Sequence, residues 1–230
     1  MTPAGSPVFL DNLRLFLYNE NQDDGPCSGG LNKERQGVSR GMTKEELYQI
    51  FRKIPVLSTP RLTLRALQVS DAFDMFDYSR RSDVTKYLLW FPHRSVEYTK
   101  EYLRYIGQRY AVGSFYDWAL INRDDGKMIG TCGFTSIDLS NRSAEIGYVL
   151  SPDYRGHGLA AEAGAEVLRF GFEVLGLNRI EAHIMQGNDA SLRVAEKLGM
   201  HFEGWKRDGI YIKGSFRTIG ICSILKKEFR

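Results

Sequence analysis

Apolar and polar positions follow two periods along this chain, and the switch from one to the other marks the elements. Leu47, Ile50 and Phe51 share a helical face behind Thr43, which predicts an N-cap, with Glu46 closing a capping box three residues on. After a linker over 54–60, Arg61-Leu62-Thr63-Leu64-Arg65-Ala66-Leu67 alternates as a half-buried strand does. Ser70 is predicted to cap a helix through Asp71, Phe73, Met75 and Phe76 to about Arg80. A second helix runs from Ser95 to about Val112, with Glu97 and Glu101 near its positive end. Between the two, Tyr87-Leu88-Leu89-Trp90-Phe91-Pro92 is aromatic without a clean period.

Three strands follow in hairpin succession: Tyr116 to Asn122, Met128 to Leu139 and Ala144 to Leu150, with turns at Asp124-Asp125-Gly126 and Asn141-Arg142-Ser143. Consecutive hairpins predict an antiparallel sheet. Leu159 to Leu175 reads as a helix stopped by Gly176, and Arg179 to Ile184 as the strand that completes one crossover. A short helix from Asn188 to Leu198 and a closing hairpin, His201 to Ile212 and Phe216 to Leu225, end the pattern. Residues 1–41 contain one short apolar run, Val8 to Tyr18, and then a polar, glycine-rich stretch, predicting a disordered or additional arm. The expected organisation is therefore an arm over 1–41, a helical leader over 42–58 and a domain over 59–230.

Composition narrows the class. With 230 residues, 43% of them hydrophobic, the chain can bury a core of its own. A formal charge of +3, spread rather than clustered, argues against a nucleic-acid partner. Cys27, Cys132 and Cys222 are odd in number and far apart, which suggests neither a disulfide framework nor a metal site and points to a reducing cytoplasm. The N-terminal apolar run, broken by Asp11 and Arg14, makes a poor signal peptide and is too short to span a bilayer.

The chemistry is expected around Glu145 to Ala160, where a strand feeds a glycine loop into a helix N-terminus. Unpaired N–H groups converge there in front of the helix dipole, an arrangement suited to phosphate. Two readings fit the loop. Gly156, Gly158 and Ala161 match the G-x-G-x-x-A dinucleotide fingerprint. Arg155, Gly158 and Ala160 match R-x-x-G-x-A. The antiparallel strands ahead of the loop, and an acidic residue, Glu181, lying in mid-strand, both count against the dinucleotide reading.

The second pattern, Arg155 to Ala160, resembles the pyrophosphate loop of the GCN5-related N-acetyltransferases. From about Thr59 to Phe229 the order of elements is similar to that fold. Local matches to the branch of ribosomal-protein N-terminal alanine and serine acetyltransferases are Arg61 to Arg65, Glu145-Ile146-Gly147-Tyr148, the Arg155 loop, and Asn188-Asp189-Ala190-Ser191 with Glu196 to Met200. The resemblance implies an α/β fold of the α+β type: a mixed, mostly antiparallel sheet, helices on both faces and a central glycine-rich loop. It implies acetyl-CoA as cosubstrate, no metal, and direct transfer to a primary amine without an acetyl-enzyme.

The same resemblance assigns roles. The backbone of Arg155, Gly156, His157, Gly158, Leu159 and Ala160 would cradle the pyrophosphate, with the His157 imidazole facing solvent. The Tyr148 and Leu150 backbones would hold the pantetheine arm, Asn188 would steady it, and Lys197 would reach a CoA phosphate. Glu145 is the expected general base, with Glu203 second, and Ser191 the hydroxyl beside the departing thiolate. Asn188, Ser191 and Lys197 could equally serve as helix-end residues. The acceptor is a protein N-terminus or a small amine such as a polyamine, antibiotic or amino acid, with Trp90, Phe91 and Tyr116 offering apolar surface. An acyl-CoA-binding sensor is the competing class. No membrane partner is implied, and the closing strands offer a surface on which two copies can pair.

Overall fold

The structure, a computed structural model, describes residues 41–230. All of the expected arm but Gly41 therefore lies outside the described residues. Helix α1 (Lys44–Arg52) begins at Thr43, whose hydroxyl accepts from the Glu46 N–H while the Glu46 carboxylate accepts from the Thr43 N–H at 2.7 Å. The predicted capping box is present, and the helix packs on the domain. Leu47 and Phe51 are buried, and the Phe51 ring meets Trp118 at 5.6 Å and Phe170 at 6.1 Å.

A two-residue edge strand, β1 (Leu57–Ser58), precedes β2 (Leu62–Arg65). The next helix departs from the sequence reading, because Ser70 does not cap it. The Asp71 carboxylate takes both Arg65 guanidinium nitrogens and the Gln68 N–H, which holds Val69–Asp71 in a 3₁₀ turn. Helix α2 (Ala72–Ser79) follows that turn. A one-turn helix, α3 (Ser82–Thr85), then leads through the aromatic connection to α4 (Val96–Ala111), capped by Ser95 as predicted.

Strands β3 (Tyr116–Asn122), β4 (Met128–Asp138) and β5 (Ser143–Leu150) form the hairpin succession. Helix α5 (Leu159–Glu173), strand β6 (Arg179–Met185), helix α6 (Asp189–Lys197) and the hairpin β7 (His201–Ile212) and β8 (Ser215–Leu225) complete the chain. The sheet order is β1-β2-β3-β4-β5-β6-β8-β7. Every pairing is antiparallel except β5 with β6.

Side-chain alternation assigns the two faces. Trp118, Cys132, Phe134, Ala144, Ile146, Ile180 and Ala182 pack with α1, α5 and α6 in the main core. Ala119, Met128 and Val149 point the other way, under α2 and α4. Asp117, Gly133, Gly147, Glu145, Glu181 and His183 share this second face by the same alternation.

Truncating Phe51 to Ala removes a fully buried ring from a four-aromatic cluster, and should cost about 3–5 kcal/mol of unfolding free energy in urea titration. A loss below about 1 kcal/mol would mean that α1 is only appended to the domain.

Candidate functional site

The site begins where two strands stop pairing. β5 and β6 run side by side over Ser143↔Arg179, Ala144↔Ile180 and Glu145↔Glu181, and no further. Toward β4, Ser151 donates to the Ile129 carbonyl at 2.7 Å, so in this antiparallel register Val149 and Gly147 bond β4 as well. Tyr148 and Leu150, between them, turn their N–H and C=O groups away from β4, into the slot that opens beside β6. The Leu150 carbonyl there accepts from Arg155 Nε at 3.2 Å.

One wall of the slot is tied across its width. The Tyr148 hydroxyl donates to the Ser191 carbonyl at 3.0 Å, joining β5 to the first turn of α6. Burial raises the Tyr148 phenol well above its ordinary range, so the hydroxyl stays protonated and the link holds. The Asn188 side chain accepts from the Ser191 N–H and so serves as the N-cap of α6. Ser191 is half-buried at that end. Lys197 is exposed in the last turn, roughly 13.5 Å along the axis from Asn188, and Leu198 beside it packs against Gly164 of α5. The structure therefore groups Tyr148, Leu150, Asn188 and Ser191 and leaves Lys197 at the far end of its helix.

Beyond Leu150, a 3₁₀ turn at Pro152–Tyr154 delivers the glycine loop. Gly156 and Gly158 take φ of 86° and 79°, the left-handed region that L side chains resist, and Gly158 is the N-cap of α5. The first bond of the helix runs from the Glu162 N–H to the Gly158 carbonyl, leaving the preceding amides outside the ladder. His157 is exposed, and its carbonyl, not its ring, makes the recorded contact.

That contact comes from Arg61, which sequence reasoning treated only as a strand residue. Its Nη1 donates to the His157 carbonyl at 2.9 Å while Nε and Nη2 grip the Glu162 carboxylate at 2.7 and 2.6 Å. Glu162 also accepts from the Arg61 N–H and the Thr59 hydroxyl. Burial opposes ionisation of Glu162, yet these donors outweigh it and lower its pKa. Arg61 thus clamps the loop to the first turn of α5 from the neighbouring strand.

On the second face, at the point where β5 and β6 part, His183 lies between two carboxylates. Nδ1 is 3.1 Å from Glu145 and Nε2 is 2.9 Å from Glu181. Only the imidazolium can donate from both nitrogens, and its pKa is pushed up to about 9, chiefly by Glu145. Arg179 extends the chain of charges from Glu181 to Glu203, which it binds through two nitrogens. Glu203, held by Arg179 and the Ser223 hydroxyl, drops to about 2, and this disfavours the second candidate base. Sequence spacing gave no sign of His183, because its partners come from two strands.

Among the aromatics expected at an acceptor surface, Tyr116 is misplaced: its ring packs on Phe51 at 4.8 Å, on the first face. Trp90 does lie on the second face, 5.2 Å from His93, a buried imidazole whose pKa burial lowers to about 4. Phe91 sits 5.3 Å from the Lys213 ammonium, and Tyr87 donates to the Gly187 carbonyl, so the connection is pinned to the closing hairpin and to the β6–α6 turn. Among the described residues no cluster of His, Cys, Asp and Glu could hold a metal, and no helix is long and apolar enough to cross a membrane.

Because its folded pKa is raised, His183 stabilises the fold fully below its unfolded value near 6.5, and that contribution disappears as pH rises through about 9. With the side chain 37% exposed, solvent screening leaves about 1 kcal/mol. Thermal unfolding of the native chain should therefore weaken from pH 7 to 10 more steeply than that of His183→Gln. Parallel curves would show that the bridge carries no such energy.

The family model described as an acetyltransferase (GNAT) domain matches residues 61–201. The N-acetyltransferase p20 of Bacillus licheniformis is 35% identical over 173 residues, covering 75% of this chain and 97% of that protein. Two solved structures share the fold at 22% identity and a TM-score of 0.63: the ribosomal-protein-S5-alanine acetyltransferase of Vibrio fischeri, over 76% of this chain and 99% of that one, and the spermidine N-acetyltransferase of Vibrio cholerae in complex with CoA and spermine, over 74% and 99%. The parted strands and the glycine loop thus sit in a known architecture, and the dinucleotide reading of the loop falls away. The chain belongs to the GNAT acetyltransferase family and is an acetyl-CoA-dependent N-acetyltransferase.

Proposed function

We propose that acetyl-CoA lies in the slot between β5 and β6 and that a primary amine attacks its thioester from the second face. The observation that carries this reading is the row of outward-turned backbone groups at Tyr148 and Leu150, leading straight to the glycine loop. A pantetheine arm carries amides that can add to that row as a further strand would. The loop amides from Arg155 to Ala160, in front of the α5 dipole, suit the pyrophosphate.

The slot-facing N–H groups of β5 are also placed to polarise the thioester carbonyl and to stabilise the oxyanion that forms on attack. The amine nitrogen bonds to the acetyl carbon, the carbon–sulfur bond breaks, and the proton leaves the nitrogen for Glu145 through a water. Glu145 stands three residues before Tyr148, about 10 Å along the strand, a gap that its side chain and bridging water together span. His183 holds one carboxylate oxygen and fixes the direction of the other. The Ser191 hydroxyl, at the helix end tied to Tyr148, donates to the departing thiolate.

An α-amine, with a pKa of about 8, needs less help from a base than a lysine at about 10.4. We therefore take a protein α-amine, consistent with the ribosomal-protein acceptor in the name of the Vibrio fischeri protein, ahead of internal lysines; a small polyamine, the acceptor of the Vibrio cholerae protein, has amines about as basic as lysine and is the second reading. Among the described residues the thiols of Cys132 and Cys222 are buried and free, which fits a reducing cytoplasm.

Steady-state kinetics separate the roles. Arg61→Met frees the loop from its clamp and should raise the KM for acetyl-CoA about tenfold with kcat within a factor of two. Glu145→Gln should lower kcat by about 10²-fold and leave acetyl-CoA affinity unchanged. Equal losses in both parameters for Arg61→Met, or a fully active Glu145→Gln, would contradict these assignments.

A further inference from the structure

The closing hairpin carries apolar surface that the domain itself does not cover. Ala182 of β6 stands opposite Cys222 of β8, and Cys222 opposite Phe202 of β7; two residues along, Ile184, Gly220 and Trp205 form a parallel row, and Phe216 faces Tyr211 near the turn. Ala182 and Cys222 belong to the main core, so Phe202, Trp205, Tyr211 and Phe216 all project from the first face. Core residues of that face packed with α1, α5 and α6 are almost wholly buried, whereas these four rings remain 43–63% exposed.

The rings pack on one another in two pairs, Phe202 with Trp205 at 5.1 Å and Tyr211 with Phe216 at 4.9 Å. Gly220 is the floor under the first pair: a Cβ there would come within 2.8 Å of the Trp205 ring and 3.0 Å of the Phe202 ring. Between the pairs β7 slips out of register from Lys206 to Ile210, with Asp208 at a φ of 49°.

Area, charge and shape select the occupant. An aromatic side chain buries about 150–250 Å², so four rings near half exposure leave roughly 400 Å² of apolar surface, in the range of patches that serve as contact sites. Two such faces together bring about 800 Å², and a polar rim carries the total past the roughly 1,000 Å² that a specific interface needs. Along β7, Glu203 and Asp208 balance Lys206 and Arg207, so the strand favours neither an anionic nor a cationic partner and does not repel a surface like itself. The bulges at Phe202–Gly204 and Lys206–Ile210 spoil the outer edge of β7 as a template for an added strand, which leaves the face to make the contact.

We propose that this face binds the same face of a second copy of the chain, with Phe202 and Trp205 of each copy packed on Tyr211 and Phe216 of the other. A two-fold axis through the bulged middle of β7 makes the contact isologous and closes it at two chains. In the reading above the amine attacks from the second face, so both acceptor mouths look outward and turnover per chain does not depend on pairing. The pairing itself stands whether or not that reading does.

Sedimentation equilibrium of the full chain over a micromolar concentration series tests it. The native chain should behave as a two-chain particle, and Phe216→Glu should weaken association at least a hundredfold while the circular-dichroism spectrum stays unchanged. Trp205→Arg should do the same. An equimolar mixture of the two variants should recover the two-chain particle, because the new carboxylate of one copy then meets the new cation of the other, a recovery that misfolded chains cannot give. A native chain that stays single at every concentration overturns the proposal and leaves the face to a partner of another kind. A two-chain particle that survives both substitutions overturns it by placing the interface elsewhere, and variants that separate singly but fail to pair when mixed overturn the crossed arrangement of the rings.

Discussion

The site depends on a pairing that ends early. Beyond Glu145 and Glu181 the two central strands have no ladder between them, and a backbone edge turned into the protein is costly unless something satisfies it. Two interactions hold the gap open in a fixed shape. At its base the His183 imidazolium bridges Glu145 and Glu181, so the strands are joined by charge at the point where they part. On its wall the Tyr148 hydroxyl reaches the Ser191 carbonyl and sets α6 at a fixed distance from β5. The result is an edge prepared for an extended, amide-bearing ligand.

The glycine loop is organised from outside itself. Its two left-handed glycines permit the shape, but the shape is held by Arg61, which reaches from just before β2 to the His157 carbonyl and to Glu162. One arginine thus couples the entry of β2 to the N-terminal end of α5, where a pyrophosphate is proposed to sit.

Much of this was legible in the residues. Local signals act within a few positions, so the Thr43 capping box, the Ser95 cap, the three hairpin strands and the glycine loop could be read with their bounds nearly correct. Tyr148 and Leu150 were picked from a family pattern; the register turns their backbone groups away from β4, into the slot. What could not be read needs the third dimension. Ser70 lost its cap to Asp71 because Arg65, on the strand before, claims that carboxylate. His183 has no local spacing to announce it, since one partner lies 38 positions earlier on β5 (183 − 145) and the other on its own strand. Tyr116, expected at an acceptor surface, packs instead against the main core, because strand alternation placed it with Phe51.

The most direct test of the parted-strand site is amide hydrogen exchange, residue by residue, with and without CoA. Saturating CoA should slow the amides of Tyr148, Leu150 and the 156–160 loop by at least tenfold and leave Gly147 and Val149, already bonded to β4, as they were. That alternation is the signature of a ligand added to one edge of β5. Protection that falls equally on odd and even positions of the strand, or outside the slot altogether, would contradict it.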